Sequence, residues 1–478
     1  MTISAALSSA LTGLGATSRS LQVVSSNISN ALTPGYARRE LDLGSAATGG
    51  VRVLGVNRVV DPGLLTERRR IDAELGGAET RTGAMRSLAD TIGAANGAGS
   101  ISSRVAQFEA SLTEAASAPD SEARLTAVAL GAKELTLAFN GASDAIQGER
   151  LKADTSIAQQ VGQLNSALEE IARLNEDIVP AQARGQDTSG LLDRRQQVLD
   201  TISGIVPLRE LPRQNGAITL MTENGQLLLD PKPVEIAFTP MPAVTPGMTL
   251  GAPLSGLTVG GRPIDMSSAN GRMSGGTLSA QFDVRDRIAP AAQTELDALA
   301  RDLVERVSAA GVDPSATGRP GLFTDRGAVF DAANETGISA RISINGAVDP
   351  DAGGEAWRIR DGLYAAGRGA EGDATRLRAL GDALGAPRAG SANLPGGTLG
   401  FADRTGAVAA NADARLFAAE RTESFSSARS AELIDQELAN GVDTDQEIQK
   451  LMLIEQAYAA NARVIAAADA MLQKVMEI

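Results

Sequence analysis

The chain has 478 residues, enough for about three domains with buried cores. It contains neither Cys nor His, which excludes disulfides, thiol nucleophiles, zinc sites built from those residues and Ser-His-Asp catalysis. Its 44 Lys and Arg against 58 Asp and Glu give a net charge of −14, which argues against a nucleic-acid partner because nucleic acids select basic surfaces.

Composition also argues against a membrane span and a ligand pocket. The sequence has no run of about 18 apolar residues, the length that crosses a bilayer. The segment before Arg19 lacks the basic start of a cleaved signal peptide, so export by that route is not expected. Aromatic residues make up only 3% of the chain, too few to suggest an aromatic-walled site. We therefore expect no cofactor, no catalytic or metal-binding residue and no membrane insertion, and we favour a structural role.

The first predicted element is a helix with heptad spacing. Apolar and small residues recur at alternating steps of four and three, the pattern of a coiled-coil seam. This first seam comprises Ile3, Leu7, Ala10, Leu14, Thr17, Leu21, Val24 and Ile28. Arg19 is the only charge before Arg38, so several faces are expected to meet other protein, although an ordinary core helix has the same spacing. Asn27 and Asn30 lie near the helix end, where Asn can cap backbone groups.

A sharp turn ends this helix. Pro34 disfavours a helical Thr33, and Gly35 supplies the positive φ that a type II turn needs before Tyr36. Valines between residues 51 and 60 then predict a strand that ends at Asp61-Pro62-Gly63.

The middle of the chain changes character several times. Residues 64–205 have helical periodicity, whereas nine of the 19 prolines fall between 207 and 263 and favour short strands and turns. A hairpin is predicted around Asn224-Gly225, and helix is expected to resume at Pro290. Asp349 begins a segment similar to the start of a calcium loop, but the later ligands are missing, so a surface loop is expected there.

The last predicted helix carries a second seam. Asn440-Gly441 stops the preceding helix, and Thr444 with Glu447 matches a capping box that starts the next one. The second seam comprises Leu451, Ile454, Tyr458, Asn461, Ile465, Ala468, Leu472 and Val475.

Two seams of equal length at opposite ends of the chain predict that the ends pair. Small and polar residues dilute both seams, so a two-helix pair would bury little, and we expect the ends to become well ordered only when neighbouring subunits cover them. The predicted fold class is mainly α with β-rich insertions: a terminal α-helical coiled-coil domain formed by both ends, a discontinuous helical middle domain and a small outer β or irregular domain. The expected division is a terminal assembly domain (1–40 and 441–478), a β-type linker (41–63), a helical middle domain (64–205, 280–312 and 402–440), a β-rich section (206–279) and a loop-rich outer insertion (313–401).

The two ends resemble the flagellar axial protein family. Residues 25–39, SSNISNALTPGYARR, resemble the N-terminal signature of that family, and the tail that includes QAYAANARVI, residues 456–465, is similar to its C-terminal helix. Tyr36 followed by Ala37-Arg38-Arg39, the LLDRR motif of residues 191–195 and residues 271–286 are closest to the hook-associated branch of the family. Residues 311–401 have no counterpart in this resemblance.

The resemblance implies a non-enzymatic subunit of the bacterial flagellum at the hook-filament junction. It implies export from the cytoplasm through the flagellar type III apparatus, helical self-assembly outside the cell, and as partners copies of the chain, hook protein, a second hook-associated protein and an export chaperone. The implied assembly interface consists of Ile3, Leu7, Leu14, Leu21, Val24, Asn27, Ile28, Asn30, Leu451, Ile454, Tyr458, Asn461, Ile465, Leu472 and Val475, and the turn of Pro34, Gly35 and Tyr36. Two alternatives stay open: another axial protein (hook, rod or second junction protein), or an axial protein with an enzymatic outer insertion.

Overall fold

The structure is a computed structural model that describes residues 3–47, 49–93, 97, 99–268 and 270–476. Residues 1–2 and 477–478 of the expected terminal domain therefore lie outside the described residues. The α-helices of the described residues are α1 (Ile3–Ser29), α2 (Pro62–Ile92), α3 (Ile101–Ser117), α4 (Glu122–Ala183), α5 (Ser189–Ser203), α6 (Gly276–Asp283), α7 (Ala289–Val307), α8 (Trp357–Asp361), α9 (Thr375–Gly385), α10 (Phe401–Ala439) and α11 (Thr444–Met476). None of these helices is long and apolar enough to cross a membrane.

The strands are short and form small separate sheets. They are β1 (Arg39–Ser45), β2 (Val51–Arg58), β3 (Leu208–Pro212), β4 (Ile218–Thr222), β5 (Leu227–Leu229), β6 (Ile236–Ala237), β7 (Thr249–Leu250), β8 (Pro253–Leu254), β9 (Leu257–Val259), β10 (Arg262–Ile264), β11 (Phe323–Asp325), β12 (Ile342–Ile344), β13 (Arg388–Ala389) and β14 (Thr398–Leu399). Two sheets have three strands, in the orders β3-β4-β5 and β10-β9-β6, and the others are pairs. Only β7 and β8 pair in parallel among the described strands. The predicted fold class, mainly α with β-rich insertions, is confirmed.

Helix α4 connects two hydrophobic cores. Its 62 residues give it a length of about 90 Å. Its first half, through Phe139 and Ile146, is buried with α3 and α7, and its second half, through Ile157 and Ile171, is buried with α5, α6 and strands of the 208–266 region. One rigid helix therefore fixes the spacing of the two cores.

The first core includes residues from the segment 313–401, which composition predicted as a separate outer insertion. Phe323 of β11 packs edge to face on Phe108 of α3, with ring centroids 5.8 Å apart, and Trp357 and Leu384 are buried in the same cluster. Because two-stranded pairs bury little by themselves, the apolar side chains of this segment are buried against the helices. The segment is packed onto the helical part of the chain.

Local turn chemistry places the strands of the second core. Gly225 has a φ of +84° and its N–H donates to Thr222 O, so the Asn224-Gly225 hairpin predicted from the sequence joins β4 to β5.

Helix resumes earlier than predicted: α6 begins at Gly276 and continues through a π-helical segment, Val284–Ile288, into α7. Pro290 lies in the first turn of α7, where the missing backbone N–H of proline is least destabilising. The helix does not start there, however, because the π-helical segment connects α6 directly to α7.

Helices α2 and α10, which are far apart in sequence, pack along one another. Arg68 Nε lies 2.6 Å from Glu437 Oε2, and Arg86 Nη2 lies 2.9 Å from Glu420 Oε1. The order of these two contacts shows that the helices are antiparallel. The segment before residue 312 and the segment after residue 400 thus form one helical body.

A fully buried ion pair joins α4 to the π-helical segment. Arg285 Nη1 lies 2.7 Å from Asp154 Oδ1, and neither side chain has any exposed surface. Asp154 Oδ2 also accepts a hydrogen bond of 2.7 Å from Met241 N, and the rings of Phe238 and Phe282 lie within cation-π distance of the guanidinium. Both charges are therefore compensated.

The variant Arg285→Met should destabilise the fold strongly, because it leaves the Asp154 carboxylate buried without its cation. We expect a loss of about 3–5 kcal/mol in the free energy of unfolding, measured by urea denaturation. Arg287→Met is the matched control: its side chain is 71% exposed and pairs with Asp283, so its loss should stay below about 1 kcal/mol. Equal losses in the two variants would contradict this account.

Candidate assembly interface

The two ends of the chain pack as an antiparallel helix pair, α1 against α11. Asn27 Nδ2 donates to Glu447 Oε2 over 3.0 Å. Fourteen residues earlier in α1, Gly13 lies against Asn461, fourteen residues later in α11. A methyl group on Gly13 would come within 3.0 Å of the Asn461 amide, so the absence of a side chain lets the helices approach closely.

The residues of α1 that are buried against α11, which we call the contact line, lie beside the predicted first seam. The buried residues of α1 are Ala10, Gly13, Ala16, Val23, Val24 and Asn27, of which the seam contains only Ala10 and Val24. Small residues define the closest approach, so the larger apolar residues lie at its flanks. Half-buried flanking residues are Ile3, Leu7, Leu14, Ile28 and Asn30, whereas Leu21 is exposed. Asn30, the residue directly after α1, donates from Nδ2 back to Ser26 O of that helix.

The second seam lies on the covered side of α11 over most of its length. Ala468 is buried, and Leu451, Ile454, Asn461 and Ile465 are half-buried. Tyr458, Leu472 and Val475 are exposed. Further large apolar side chains are exposed on the two terminal helices, namely Leu11, Ile448, Met452, Leu453, Val464, Met471 and Met476. The pair therefore leaves much apolar surface uncovered.

A hydrogen-bonded cluster fixes the pair at the end of α1, and we call it the terminal junction. It consists of Asn27, Tyr36, Arg39, Arg58, Asp193 and Glu447. The Asn27 side chain has no exposed surface, and its Nδ2 donates to Arg39 O over 2.9 Å as well as to Glu447. Its Oδ1 accepts from Arg39 N over 2.9 Å and from Tyr36 Oη over 2.8 Å. All four hydrogen-bonding positions of the amide are thus used.

Asp193 of α5 ties the junction to the helical body. Its carboxylate accepts from Arg39 Nη2 and Arg58 Nε, each over 2.8 Å, and from Ala37 N over 3.3 Å. Asp193 belongs to the LLDRR motif quoted for the resemblance, but nothing in the sequence alone indicated its arginine partners. Positions 39 and 58 face each other across the antiparallel β1-β2 pair, so the long-range fold brings the two arginines together.

The turn after α1 lies against α5. Tyr36 N donates to Thr33 O, and Gly35 has a φ of +76°, as the predicted turn requires. Gln197 Nε2 donates to Pro34 O over 2.8 Å. A side chain at position 35 would collide with Gln197, since a Cβ there would lie 2.6 Å from Gln197 Cγ.

The capping box predicted at Thr444 and Glu447 is wrong. Asp443 caps α11 instead, because its Oδ1 accepts from Asp445 N and Gln446 N. Glu447 is 1% exposed and binds Asn27 and the Lys450 ammonium, the latter over 2.8 Å. Thr444 and Glu447 have the spacing of a capping box, but the actual N-cap residue, Asp443, directly precedes Thr444. The Glu447 side chain binds Asn27 of α1 instead of capping its own helix.

Tyr36 lies partly buried in the terminal junction. Its hydroxyl lies 3.2 Å from Ser26 Oγ, and the Arg39 guanidinium lies 4.8 Å from its ring centroid. Burial raises the pKa of the Tyr36 phenol above its ordinary value of 10.0, and the opposing effects of the Ser26 hydrogen bond and of Arg39 are smaller. The phenol is therefore held in its neutral, donating form.

The loop at Asp349 uses two of its carboxylates to bind a lysine of α4. Its Oδ1 lies 2.9 Å from Lys133 Nζ, and Asp351 Oδ2 lies 2.6 Å from the same ammonium. These carboxylates anchor the loop to α4, as expected of a surface loop.

Three family models match the chain. Residues 87–321 match the flagellar hook-associated protein FlgK helical domain. Residues 7–36 match the flagella basal body rod protein model, and residues 439–478 match the C-terminal model of the flagellar basal body rod FlgEFG proteins. The two terminal matches cover α1 from residue 7, the turn at Tyr36 and the described length of α11, so they include Asn27, Tyr36 and Glu447 of the terminal junction.

Curated relatives agree with these matches. Flagellar hook-associated protein 1 of Salmonella typhimurium is 26% identical over 238 residues, which are 48% of this chain and 43% of the relative. Flagellar hook-associated protein 1 of Bacillus subtilis is 23% identical over 241 residues, 47% of each chain. The matched part thus spans less than half the length of these relatives. The resemblance to flagellar axial proteins, and within them to hook-associated protein 1, is confirmed.

A solved structure, the flagellar hook junction protein FlgK from Burkholderia pseudomallei, superposes with a TM-score of 0.44 and 19% identity. The superposition covers 54% of this chain and 46% of that one.

Replacing Asn27 by Asp should detach α1 from α11. The new carboxylate oxygen would face two acceptors, Glu447 Oε2 and Arg39 O. Each buried polar group left without a hydrogen bond lowers the free energy of unfolding by about 1–3 kcal/mol. We expect faster amide hydrogen exchange throughout both terminal helices than in the parent chain, measured by mass spectrometry on assembled protein, where the ends are expected to be ordered. Adding Glu447→Gln should restore part of the protection, because the new amide can donate to the carboxylate introduced at position 27. Asn30→Asp, the matched control, should leave exchange in α11 unchanged; equal effects of both changes would refute the role of Asn27.

The raised pKa of Tyr36 predicts a loss of stability at high pH. The unfolded chain ionises at its ordinary pKa, whereas the folded chain keeps the proton, so the contribution of neutral Tyr36 is complete below pH 10 and is lost as the pH rises above it. Tyrosinate absorbance should show a late-titrating phenol among Tyr36, Tyr364 and Tyr458, and Tyr36→Phe should remove that late phase. A late phase that persists in this variant would show that another tyrosine is responsible.

Proposed function

We propose that the chain is a structural, non-enzymatic subunit of the bacterial flagellum that forms the junction between hook and filament by helical self-assembly. The relatives named hook-associated protein 1 and the FlgK-type helical domain match support this proposal. Its site of action is the extracellular flagellum, reached from the cytoplasm by type III export.

The observation that carries the proposal is the incomplete burial of the paired terminal helices. The terminal junction holds α1 and α11 in one register, yet Leu453 is 64% exposed and Leu11 is 53% exposed. Isolated surface leucines are common, but a row of large apolar side chains along two paired helices marks an interaction surface. Copies of the same chain, which present the same helices, can cover that surface in a repeating assembly.

The remaining parts of the chain would take complementary roles. The terminal domain (1–40 and 441–478) forms the inner wall of the assembly, the helical middle domain surrounds it, and the segment 313–401 faces outward. Hook protein and a second hook-associated protein bind the two sides of the assembled subunits, and a chaperone accompanies the chain before export. Poor order of the ends in the isolated monomer stays a prediction.

A second candidate is another axial protein of the hook or rod. Both terminal family models are described as rod proteins, so the ends alone do not separate the two roles. Antibody labelling of purified flagella separates them, because label at the boundary of hook and filament supports the junction and label within the rod supports the alternative.

The variant Leu453→Asp should prevent assembly while leaving the monomer folded. A carboxylate cannot be buried without a partner between neighbouring terminal helices, so we expect cells to lose filaments and motility. Leu250→Asp is the matched control, since Leu250 is 49% exposed in β7, outside the terminal helices. Circular dichroism of both purified monomers checks the fold. Normal filaments with Leu453→Asp would refute the role of the terminal surface.

A further inference from the structure

Helix α10 exposes two phenylalanines, of which Phe417 lies on the side that faces away from α2. The chain has nine Phe, and Phe417 and Phe425 are 63% and 75% exposed. At about 100° per residue, Phe417 lies opposite Ser426, which is buried on the α2 side. Exposed aromatic residues of this kind serve as anchors in protein interfaces.

A groove between α2, α7 and α10 can receive a phenyl ring. Its volume is about 230 Å³, larger than the roughly 150 Å³ cavity that binds benzene in an engineered core. Apolar residues form the floor of the groove, and three arginines also line it. The floor includes Leu88, Ile92, Ile288 and Ala292, and the arginines are Arg81, Arg287 and Arg415.

The groove and the phenylalanine face each carry a charged group whose pairing is incomplete among the described residues. Glu295 lines the groove and is 7% exposed. Arg415 and Asn411 bind its Oε1, whereas Oε2 has no hydrogen-bond partner among the described residues. Arg421 lies one turn after Phe417, is exposed, and forms no ion pair with any residue that the structure describes. An arginine from a neighbouring molecule would supply a charged hydrogen-bond donor to Glu295 Oε2.

The groove and the phenylalanine lie on opposite sides of α10. Ala412 and Arg415, which line the groove, lie about 160–220° around the helix from Phe417. One copy therefore cannot fill its own groove with Phe417. A contact between opposite sides of two identical chains is heterologous and repeats from copy to copy.

We propose that Phe417 of one copy inserts into the α2-α7-α10 groove of a second copy, where Arg421 of the first pairs with Glu295 of the second. This inference rests on the proposed self-assembly and adds a lateral contact outside the terminal helices. Groove arginines can also stack on the inserted ring. The occupant is a second copy because the same chain supplies both groups. The aromatic anchor lies beside a cation that pairs with no described residue, and the groove holds a carboxylate oxygen with no described hydrogen-bond partner.

Cross-linking in assembled flagella tests the contact, and the natural absence of Cys makes every introduced thiol specific. Ala414 lies one turn before Phe417, and Ala291 lines the groove; both are exposed. With Ala414→Cys and Ala291→Cys in one chain, a short bismaleimide should produce a ladder of cross-linked multimers. Adding Phe417→Ala should lower the cross-linked fraction about tenfold, as expected for loss of an interface anchor. Arg421→Glu should lower it likewise.

The control pair is Ala439→Cys with Ala291→Cys, because Ala439 is exposed at the far end of α10, and it should give no ladder. Immunoblots of purified flagella measure incorporation. Incorporated double-Cys protein without a ladder overturns this contact and leaves the proposed function intact. Dimers from Ala414→Cys alone also overturn it, since they show a symmetric contact. Absence of the parent chain from flagella would instead refute the proposed function.

Discussion

The buried amide of Asn27 is the contact on which the terminal architecture depends. Its four hydrogen bonds join α1 to the β1 backbone, to the turn at Tyr36 and to Glu447 of α11. A buried polar group tolerates one geometry only, because any shift leaves donors or acceptors without partners. The amide thus sets the register of two helices whose diluted apolar seams would specify it weakly. The last turn of α1 and the first turn of α11, which are about 420 residues apart in sequence, are held together there.

Stiff connections carry this constraint into the rest of the molecule. Asp193 links the junction to α5 through two arginines, and α5 packs on the second half of α4. The length of α4 then extends to the first core, where the segment 313–401 is packed. Fully compensated charges, such as the Arg285–Asp154 pair, join elements along this path. The terminal helices and the segment 313–401 are consequently connected through contiguous packing.

Local signals in the sequence predicted much of this arrangement. Heptad spacing indicated both terminal helices and their pairing, Pro34-Gly35 indicated the turn, and Asn224-Gly225 indicated a hairpin. The contact line on α1 could not be predicted from hydrophobicity, because Gly13 determines the closest approach by having no side chain. Glu447 satisfied a local capping pattern that a distant partner overrode. The role of Asp193 and the burial of the segment 313–401 depend on contacts between residues far apart in sequence, which spacing does not contain.

The displacement of the contact line has a functional consequence. Had the leucines of the first seam filled the α1-α11 contact, the pair would have been more stable alone and would have had less apolar surface for neighbours. Small residues and a polar amide instead hold the two helices together, while Leu11, Leu21 and Leu453 stay exposed. Specificity within the chain thus comes from hydrogen bonds, and the apolar surface stays available for the proposed association between copies. This division suits the proposed assembly, in which neighbouring copies would complete the burial of the terminal helices.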